Sequence, residues 1–453
     1  MTSSPREGFF PRWTEKRGGI VAPDERLPWG QTLVLGVQHI FAMFGATVLA
    51  PILMGFDANT AIFFSGIGTL VFFVAVGGRV PSYLGSSFAF IAVVIAATGY
   101  AGQGPNPNLG VALGGIVAAG ALYALIGLVV MAAGTGWIER LMPPVVTGAV
   151  VAVIGLNLAP VAIRGVSGSG FDTGVGLATV AATALVAVYA PGMLRRLPIL
   201  LGGVAGYLLH LALANGLGWG KPIDFAALAA APWLGPPRFT APVWDAGAMA
   251  LIAPVALILV AENLGHVKAV AAMTGRDLDR FLGRAFLGDG VATMLAGAGG
   301  GTGVTTYAEN IGVMAVTRIY SSLVFVVAAC IAVLMGFSPK FGALVGTIPQ
   351  PVLGGLSIML FGLIASTGGR IWVQNRVDFA RSRNLIPVAV ALTLGAGDLV
   401  VKVGGFSVGG IGTATLAAIV LYQLLRDDAA EPGGAADSAV GPDPAADARR
   451  AAP

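Results

Sequence analysis

The sequence predicts an all-α membrane protein with 14 transmembrane segments in two inverted seven-span repeats. Three observations carry that expectation: an apolar composition, a series of about fourteen apolar runs between breakers, and a one-sided distribution of Lys and Arg. Of 453 residues, 56% are hydrophobic and 11% charged, with a mean hydropathy of +0.83. Soluble domains run near 45–50% apolar and about 25% charged. A water-soluble core is thereby excluded, and lipid is the solvent that suits most of the chain, with about 20 apolar residues per spanning helix. The 67 glycines fit that solvent, because small residues let membrane helices approach closely.

The runs are centred near 31–54, 58–77, 83–99, 109–133, 144–162, 173–190, 198–216, 246–268, 284–298, 304–316, 319–337, 349–368, 384–400 and 408–425. The first 28 residues are polar, carry Arg6, Arg12, Lys16, Arg17 and Arg26, and contain no apolar run of the kind a secretory signal needs, which predicts a cytoplasmic start. If the runs alternate from there, 21 of the 26 Lys and Arg fall inside and five outside (Arg164, Lys221, Arg238, Lys340 and Lys402). Positive charge resists translocation, so this bias predicts an even span number, both termini cytoplasmic and a multi-pass protein of the inner membrane. All seven Trp fall in flanks or loops, where amphipathic rings favour the headgroup region. From 427 to 453 the chain is rich in Ala, Pro, Asp and Gly, and a disordered cytoplasmic tail is expected.

Two segments open with small or polar residues: the third, Tyr83 to Phe90, and the tenth, Thr305 to Gly312. Both read as discontinuous spans. Each is third in its set of seven, and interruptions at matching positions of two halves point to a transporter's midplane site. A second match supports duplication: Pro144-Val145, Gly148 and Gly155-Leu156 recur as Pro351-Val352, Gly355 and Gly362-Leu363. Seven spans per half is odd, so such repeats are inverted in the membrane.

Of 22 acidic residues, only Glu262, Asp289, Glu309 and Asp398 lie inside apolar runs. An ionisable group at membrane depth costs a few kcal/mol unless paired or hydrated, which makes each a functional hypothesis. Glu262 precedes His266 by one helical turn, so a carboxylate and an imidazole share a face and can share a proton. An internal polar clamp is the competing reading. Glu309 stands where the tenth span is broken, where capping of the helix competes with ligand binding. Asp289, between Gly288 and Gly290, is divided between proton coupling and a structural hydrogen bond to the interrupted spans. Asp398 faces Lys402 at i+4 and reads as an interfacial ion pair. His39 lies mid-helix in the first span and reads as a site or polar packing residue. His210 reads as a satisfied core residue and Cys330 as a small buried one.

Several chemistries are excluded by what is missing. Glu262 and His266 have no third ligand at metal spacing, so no metal is expected. No Walker loop is present, which removes ATP-driven transport by this chain. The run Gly299 to Gly303 lacks the Lys and Ser/Thr of a phosphate loop and reads as a flexible connection. No catalytic constellation is found, and neither enzyme activity, a cofactor nor a nucleic-acid partner is expected.

The stretch Glu309-Asn310-Ile311-Gly312-Val313-Met314-Ala315-Val316-Thr317-Arg318 resembles the signature of the nucleobase–ascorbate transporter family, an acidic or amide residue followed by N-x-G-x-x-x-x-T-R/K. Gln38-His39 to Pro51, Pro81 to Phe90 and Ala261 to His266 add to it, and the resemblance covers residues 20 to 425. Within the family the chain is most similar to the bacterial uracil permeases and the permeases of pyrimidine-utilisation operons.

That resemblance implies short strands in spans 3 and 10 and a homodimer. Between the polar N-terminal segment 1–28 and the tail 427–453, it implies a core domain of 29–140 and 246–340 (spans 1–4 and 8–11) and a gate domain of 141–245 and 341–426 (spans 5–7 and 12–14). It further implies that Glu262 and Glu309 accept the ring N–H groups of a pyrimidine while backbone N–H groups of Phe88 and Ala308 donate to its carbonyls, with Tyr307, His39 and His266 around the site. Proton coupling falls to Glu262, His266 and Asp289. Ala308 stands where uracil permeases usually have Gly, and its methyl narrows the space. The expected function is proton-coupled import of uracil or a related pyrimidine. A xanthine or urate carrier of the same family is the first alternative, which a carboxylate at 309 argues against. An anion carrier or channel of related fold is the second.

Overall fold

The structure is a computed structural model that describes residues 8–102, 104–192, 194–403 and 406–425, so the expected tail and Arg6 lie outside the described residues. The chain opens with two short strands, β1 (Thr14–Glu15) and β2 (Glu25–Arg26), paired in parallel. There follow α1 (Trp29–Met54), α2 (Ala58–Ala75), β3 (Leu84–Ser86), α3 (Ala89–Thr98), α4 (Leu109–Ala133), α5 (Gly136–Leu141), α6 (Pro144–Val166), α7 (Gly170–Tyr189), α8 (Pro198–His210) and α9 (Ala226–Ala230). The second half runs α10 (Ala246–Ile252), α11 (Val255–Thr274), α12 (Leu282–Gly299), β4 (Val304–Thr306), α13 (Ala308–Thr317), α14 (Ser322–Gly336), α15 (Pro339–Gly346), α16 (Gln350–Gln374) and α17 (Ser382–Ala396). A hairpin of β5 (Val401–Val403) and β6 (Phe406–Val408) leads into α18 (Gly410–Leu424).

Helix ends follow local chemistry. Asp57, Ser169 and Asp245 cap α2, α7 and α10 by accepting the amides of Thr60, Asp172 and Ala248. Gly55, Gly99, Gly275 and Gly300 close α1, α3, α11 and α12 with positive φ.

Each predicted apolar segment coincides with a helix, a strand followed by a helix, or a pair of helices in line. Among the described residues, eight helices are long and apolar enough to cross a membrane alone, and nine if α14 and α15, bent by 83°, count as one. The protein is therefore multi-pass and mostly helical. Segments 3, 10, 13 and 14 contain helices of only 10 to 15 residues, so their crossing is not decided by helix length.

The helices pack in two groups. In one, α4 lies on α12, α2 on α14 and on α12, and α1 on α14. In the other, α6 lies on α16 and α17, α16 on α7, α7 on α8, and α17 on α18. The α6–α16 contact joins the two helices that share the Pro-Val and Gly pattern, and glycine is what permits it. A Cβ on Gly155 would strike the Phe361 carbonyl and lie 2.6 Å from the Ala365 nitrogen; one on Gly368 would strike the Gly148 carbonyl.

Three sequence expectations are corrected here. The run Gly299 to Gly303 is a close-packed turn: Phe64 lies over Gly299 and Gly301, and Phe90 over Gly303, leaving no room for a Cβ at these three glycines. Asp398 does not face Lys402, because it sits at positive φ and its Oδ1 accepts from Asn157 Nδ2 (3.0 Å) and the Gly410 amide (3.2 Å), tying α6 to the start of α18. Cys330 is exposed, on the outward face of α14.

Candidate functional site

The site is built around two three-residue strands. β3 and β4 pair antiparallel, with Leu84 opposite Thr306, Gly85 opposite Thr305 and Ser86 opposite Val304, and all six residues are buried. A threonine in a neighbouring helix braces each strand in the same way. Thr69 of α2 receives the Leu84 amide (2.9 Å), and Thr293 of α12 receives the Val304 amide (3.2 Å), each hydroxyl also donating to the carbonyl of the residue it holds. Because the strands run in opposite directions, the helices they feed diverge: α3 starts at the strand pair and leaves one way, α13 starts there and leaves the other. The first amides of a helix have no intrahelical partner. Two such N-termini, at Phe88–Ala89 and at Ala308, flank the strand pair.

Tyr307 holds this centre together. Its hydroxyl donates to the Ser86 carbonyl (2.8 Å) and accepts from Thr47 Oγ1 (3.2 Å), so ring and hydroxyl bridge β4, β3 and α1. Gly85 exists to let that ring pass, since a Cβ there would lie 2.5 Å from Tyr307 Cζ and 2.6 Å from Thr47 Oγ1. The predicted substrate residue Tyr307 thus has its hydroxyl committed to the framework.

Glu262 and Glu309 are both half-buried, Ala308 is exposed, and Phe88 is buried. α11 packs against α13, and the two carboxyl groups interact electrostatically. Among the described residues, Glu262 Oε2 has no hydrogen-bond partner. His266, one turn on from Glu262, bonds through Nδ1 to Thr306 Oγ1 (2.8 Å), which links α11 to β4. The side chain of Phe88 meets Phe361 of α16 edge-on at 5.9 Å, a contact between the two helical groups.

His39 is almost fully buried on α1. Asn310 Nδ2 donates both to the His39 carbonyl (3.1 Å) and to its Nδ1 (3.0 Å). A carbonyl only accepts, so the nitrogen of Asn310 faces it, and the same amide requires Nδ1 to be the acceptor. The histidine therefore fixes the flank of α13 one residue beyond Glu309. Asp289 is fully buried: its Oδ2 accepts from Asn263 Nδ2 (2.6 Å) and Tyr123 Oη (3.4 Å), tying it to α11 and α4, and its carboxyl also lies beside the Thr306 backbone of β4 in the tenth segment. Asp289 is one residue removed, through Asn263, from Glu262. His210 stands elsewhere, bonding Nε2 to the Lys221 carbonyl at 3.0 Å.

Sequence reasoning missed Thr47, Tyr123, Asn263 and Thr306. All are polar residues in apolar surroundings, a signal open to reading, but their partners lie 26 to 260 positions away.

A cavity of about 800 Å³ opens between the ends of α1 and α3 and the α6–α16 pair, lined by Ile52, Ile95, Tyr100, Arg164, Gln350 and Gly354 among others. None of the predicted site residues lines it. Neither Phe88 nor Phe361 lines it; the lining residues Ile95 and Gly354 are each seven residues along the chain from that contact. Among the described residues, no group of three His, Cys, Asp or Glu is arranged to hold a metal ion.

Comparison with solved structures finds the same architecture at low identity. The transmembrane domain of a cyanobacterial bicarbonate transporter, BicA, superposes with a TM-score of 0.59 at 15% identity over 86% of this chain and 96% of that one. Murine Slc26a9, an anion transporter in the inward-facing state, gives 0.61 at 12% over 87% and 67%. At these identities the likeness establishes the fold alone. Among curated proteins, the chain is 64% identical over 420 residues to a protein of Escherichia coli (strain K12) that carries the name pyrimidine permease RutG, covering 92% of this chain and 95% of that one. It is 43% identical to the uracil permease of Bacillus caldolyticus, over 89% and 94%, and 39% identical to that of Bacillus subtilis (strain 168), over 86% and 91%. The family model Xan_ur_permease, described as "Permease family", matches residues 30–404, and the chain belongs to that family of permeases.

Proposed function

We propose that this permease imports uracil or a closely related pyrimidine nucleobase together with a proton. The observation that supports the reading is that Glu262 and Glu309 lie close enough to interact, on helices α11 and α13 that pack together. A pyrimidinedione is flat and uncharged, with N–H donors interleaved between carbonyl acceptors. Carboxylates suit the donors, and unpartnered amides at Phe88 and Ala308 suit the acceptors. Relatives named for uracil and for pyrimidines, aligned over nine-tenths of their length, support the same cargo. Glu309 argues for a pyrimidine over xanthine or urate.

Proton coupling is assigned to Glu262 with His266, and Asp289 joins them through Asn263. A carboxyl group with a spare oxygen, one turn from an imidazole, can exchange its proton when substrate binds or access changes.

The reading includes fourteen spans in two inverted repeats, with both ends cytoplasmic at the inner membrane and a homodimer as the working unit. Mirrored details support the repeats. Thr69 serves β3 as Thr293 serves β4, α2 lies on α14 as α12 lies on α4, and α7 pairs with α8 as α17 pairs with α18. The two packing groups support a division into a core (29–140 with 246–340) and a gate (141–245 with 341–426), and movement of one against the other would carry the site across the membrane. The test is uptake of labelled uracil into proteoliposomes under an inward proton gradient, with unlabelled competitors. Competition by uracil and none by xanthine is expected; the reverse order would give the chain to purines.

A further inference from the structure

We infer that residues 13–26, ahead of the first span, are a working part of the core: a strap that rides with α13 and sets the position of the half-site Glu309 belongs to. The inference rests on the assignment of Glu309 to substrate binding.

The strap is fastened at four places. Val21 is fully buried and forms a parallel bridge with Ile319, just past the end of α13; its amide donates to the Arg318 carbonyl (3.1 Å) and its carbonyl accepts from the Tyr320 amide (2.8 Å). Trp13 Nε1 donates to the Pro23 carbonyl (3.2 Å) and to Ser322 Oγ (3.0 Å), and Ser322 Oγ donates to the same carbonyl at 2.9 Å. The Trp13 ring stacks on Phe73 of α2 at 5.8 Å. Asp24 pairs with Arg276, beyond the end of α11, at 2.5 Å.

These anchor points belong to α2, the turn after α11 and the link from α13 to α14, all within the core ranges. α13 has ten residues, about 15 Å, with Glu309 at its first turn. It is held at its start by the β3–β4 pair, on its flank by the Asn310–His39 bonds, and at its end by the strap alone among these three. Arg318, at positive φ, ends the helix at the point where the strap takes hold. A short helix fixed at both ends cannot tilt, so the strap supplies the second fixed point for the carboxylate at its start.

Two experiments on the full-length chain test this. In the first, Val21→Cys and Ile319→Cys are joined in a Cys330→Ser background, the bridge geometry suiting a disulfide. If strap and α13 travel together, the oxidised protein transports uracil at the rate of its reduced form; loss of transport on oxidation, recovered on reduction, would show that they separate in the cycle and overturn the inference. In the second, uracil affinity is measured for Trp13→Ala and for Trp13→Phe, which keeps a ring on Phe73 but loses the donor. Trp13→Ala should weaken uracil binding about tenfold, equivalent to roughly one well-placed hydrogen bond, and Trp13→Phe should fall between it and wild type. A purely structural strap predicts a lower melting temperature with affinity unchanged, which would refute the positioning role. Glu309→Gln runs alongside: if it binds uracil like wild type, the site assignment fails and not the strap.

Discussion

Replacing Gly85 with Ala tests how the strand pair holds the site. The new methyl would stand 2.5 Å from Tyr307 Cζ and 2.6 Å from Thr47 Oγ1, where ordinary contact begins near 3.4 Å. Tyr307 must therefore retreat by close to 1 Å, and it has nowhere to go without leaving the Ser86 carbonyl and the Thr47 hydroxyl. Overpacking of this size costs about 1–3 kcal/mol. Two hydrogen bonds of about 1 kcal/mol each are put at risk as well. The total, if both bonds are lost, is about 3–5 kcal/mol, and it falls on the residue directly before Ala308 and Glu309. Thermal unfolding in detergent and uracil affinity measured on the same sample should both report it: a melting point lower by several degrees, and binding weakened at least tenfold. In a Tyr307→Ala background the same substitution should cost at least about 1 kcal/mol less, because the clash with the ring is gone. A Gly85→Ala protein that melts and binds like wild type would refute the bracing role given to Tyr307.

Other substitutions probe the remaining contacts. Asn310→Ala removes both donors to His39, and Asn310→Asp, nearly the same shape, replaces them with acceptors facing a carbonyl; both should weaken uracil binding, where a role for side-chain size alone would spare the Asp variant. Gly368→Ala forces a methyl against the Gly148 carbonyl and the Ala152 nitrogen, which a backbone cannot relieve, so folded yield should drop and the melting point fall. Glu25, outside the spans, accepts the Ala22 amide and pairs with Lys16, and these hold its carboxyl below the ordinary value of 4.5. A depressed folded value means its contribution to the strap is complete above 4.5 and lost as pH falls through the lower folded value. Trp13 fluorescence should therefore stay constant from pH 7 to pH 5 and change only below about 4.5, and Glu25→Gln should remove that change.

The sequence made the interruptions of segments 3 and 10 readable because the signals there are local. Small and polar residues opening segments 3 and 10 break a span wherever they occur, and a carboxylate such as Glu262 in an apolar run stands out against its neighbours. The repeated Pro and Gly positions of α6 and α16 suggested duplication, but not that the two helices pack on each other. Contacts between distant segments were not readable. Asp289, divided between proton coupling and a bond to the interrupted spans, also takes Asn263 and Tyr123 as partners, which its own sequence neighbours did not announce. Asp398 had a lysine at i+4 but is taken by Asn157, 241 positions away. Cys330 sits in a helix that is apolar all round, where periodicity does not separate a lipid face from a protein face. The strap carries charges that read as a solvated segment, while its burial comes from Val21 and Trp13 meeting residues some 300 positions on.

The most direct test of the account is uracil binding to purified protein carrying Glu262→Gln or Glu309→Gln, with each variant shown to be folded. An amide cannot replace a carboxylate that accepts a ring N–H without also presenting a donor, and a hydrogen bond to a charged group contributes about 1.5–3 kcal/mol. Each substitution should weaken binding by roughly ten- to a hundredfold. Wild-type affinity in both variants would contradict the account and place the nucleobase elsewhere.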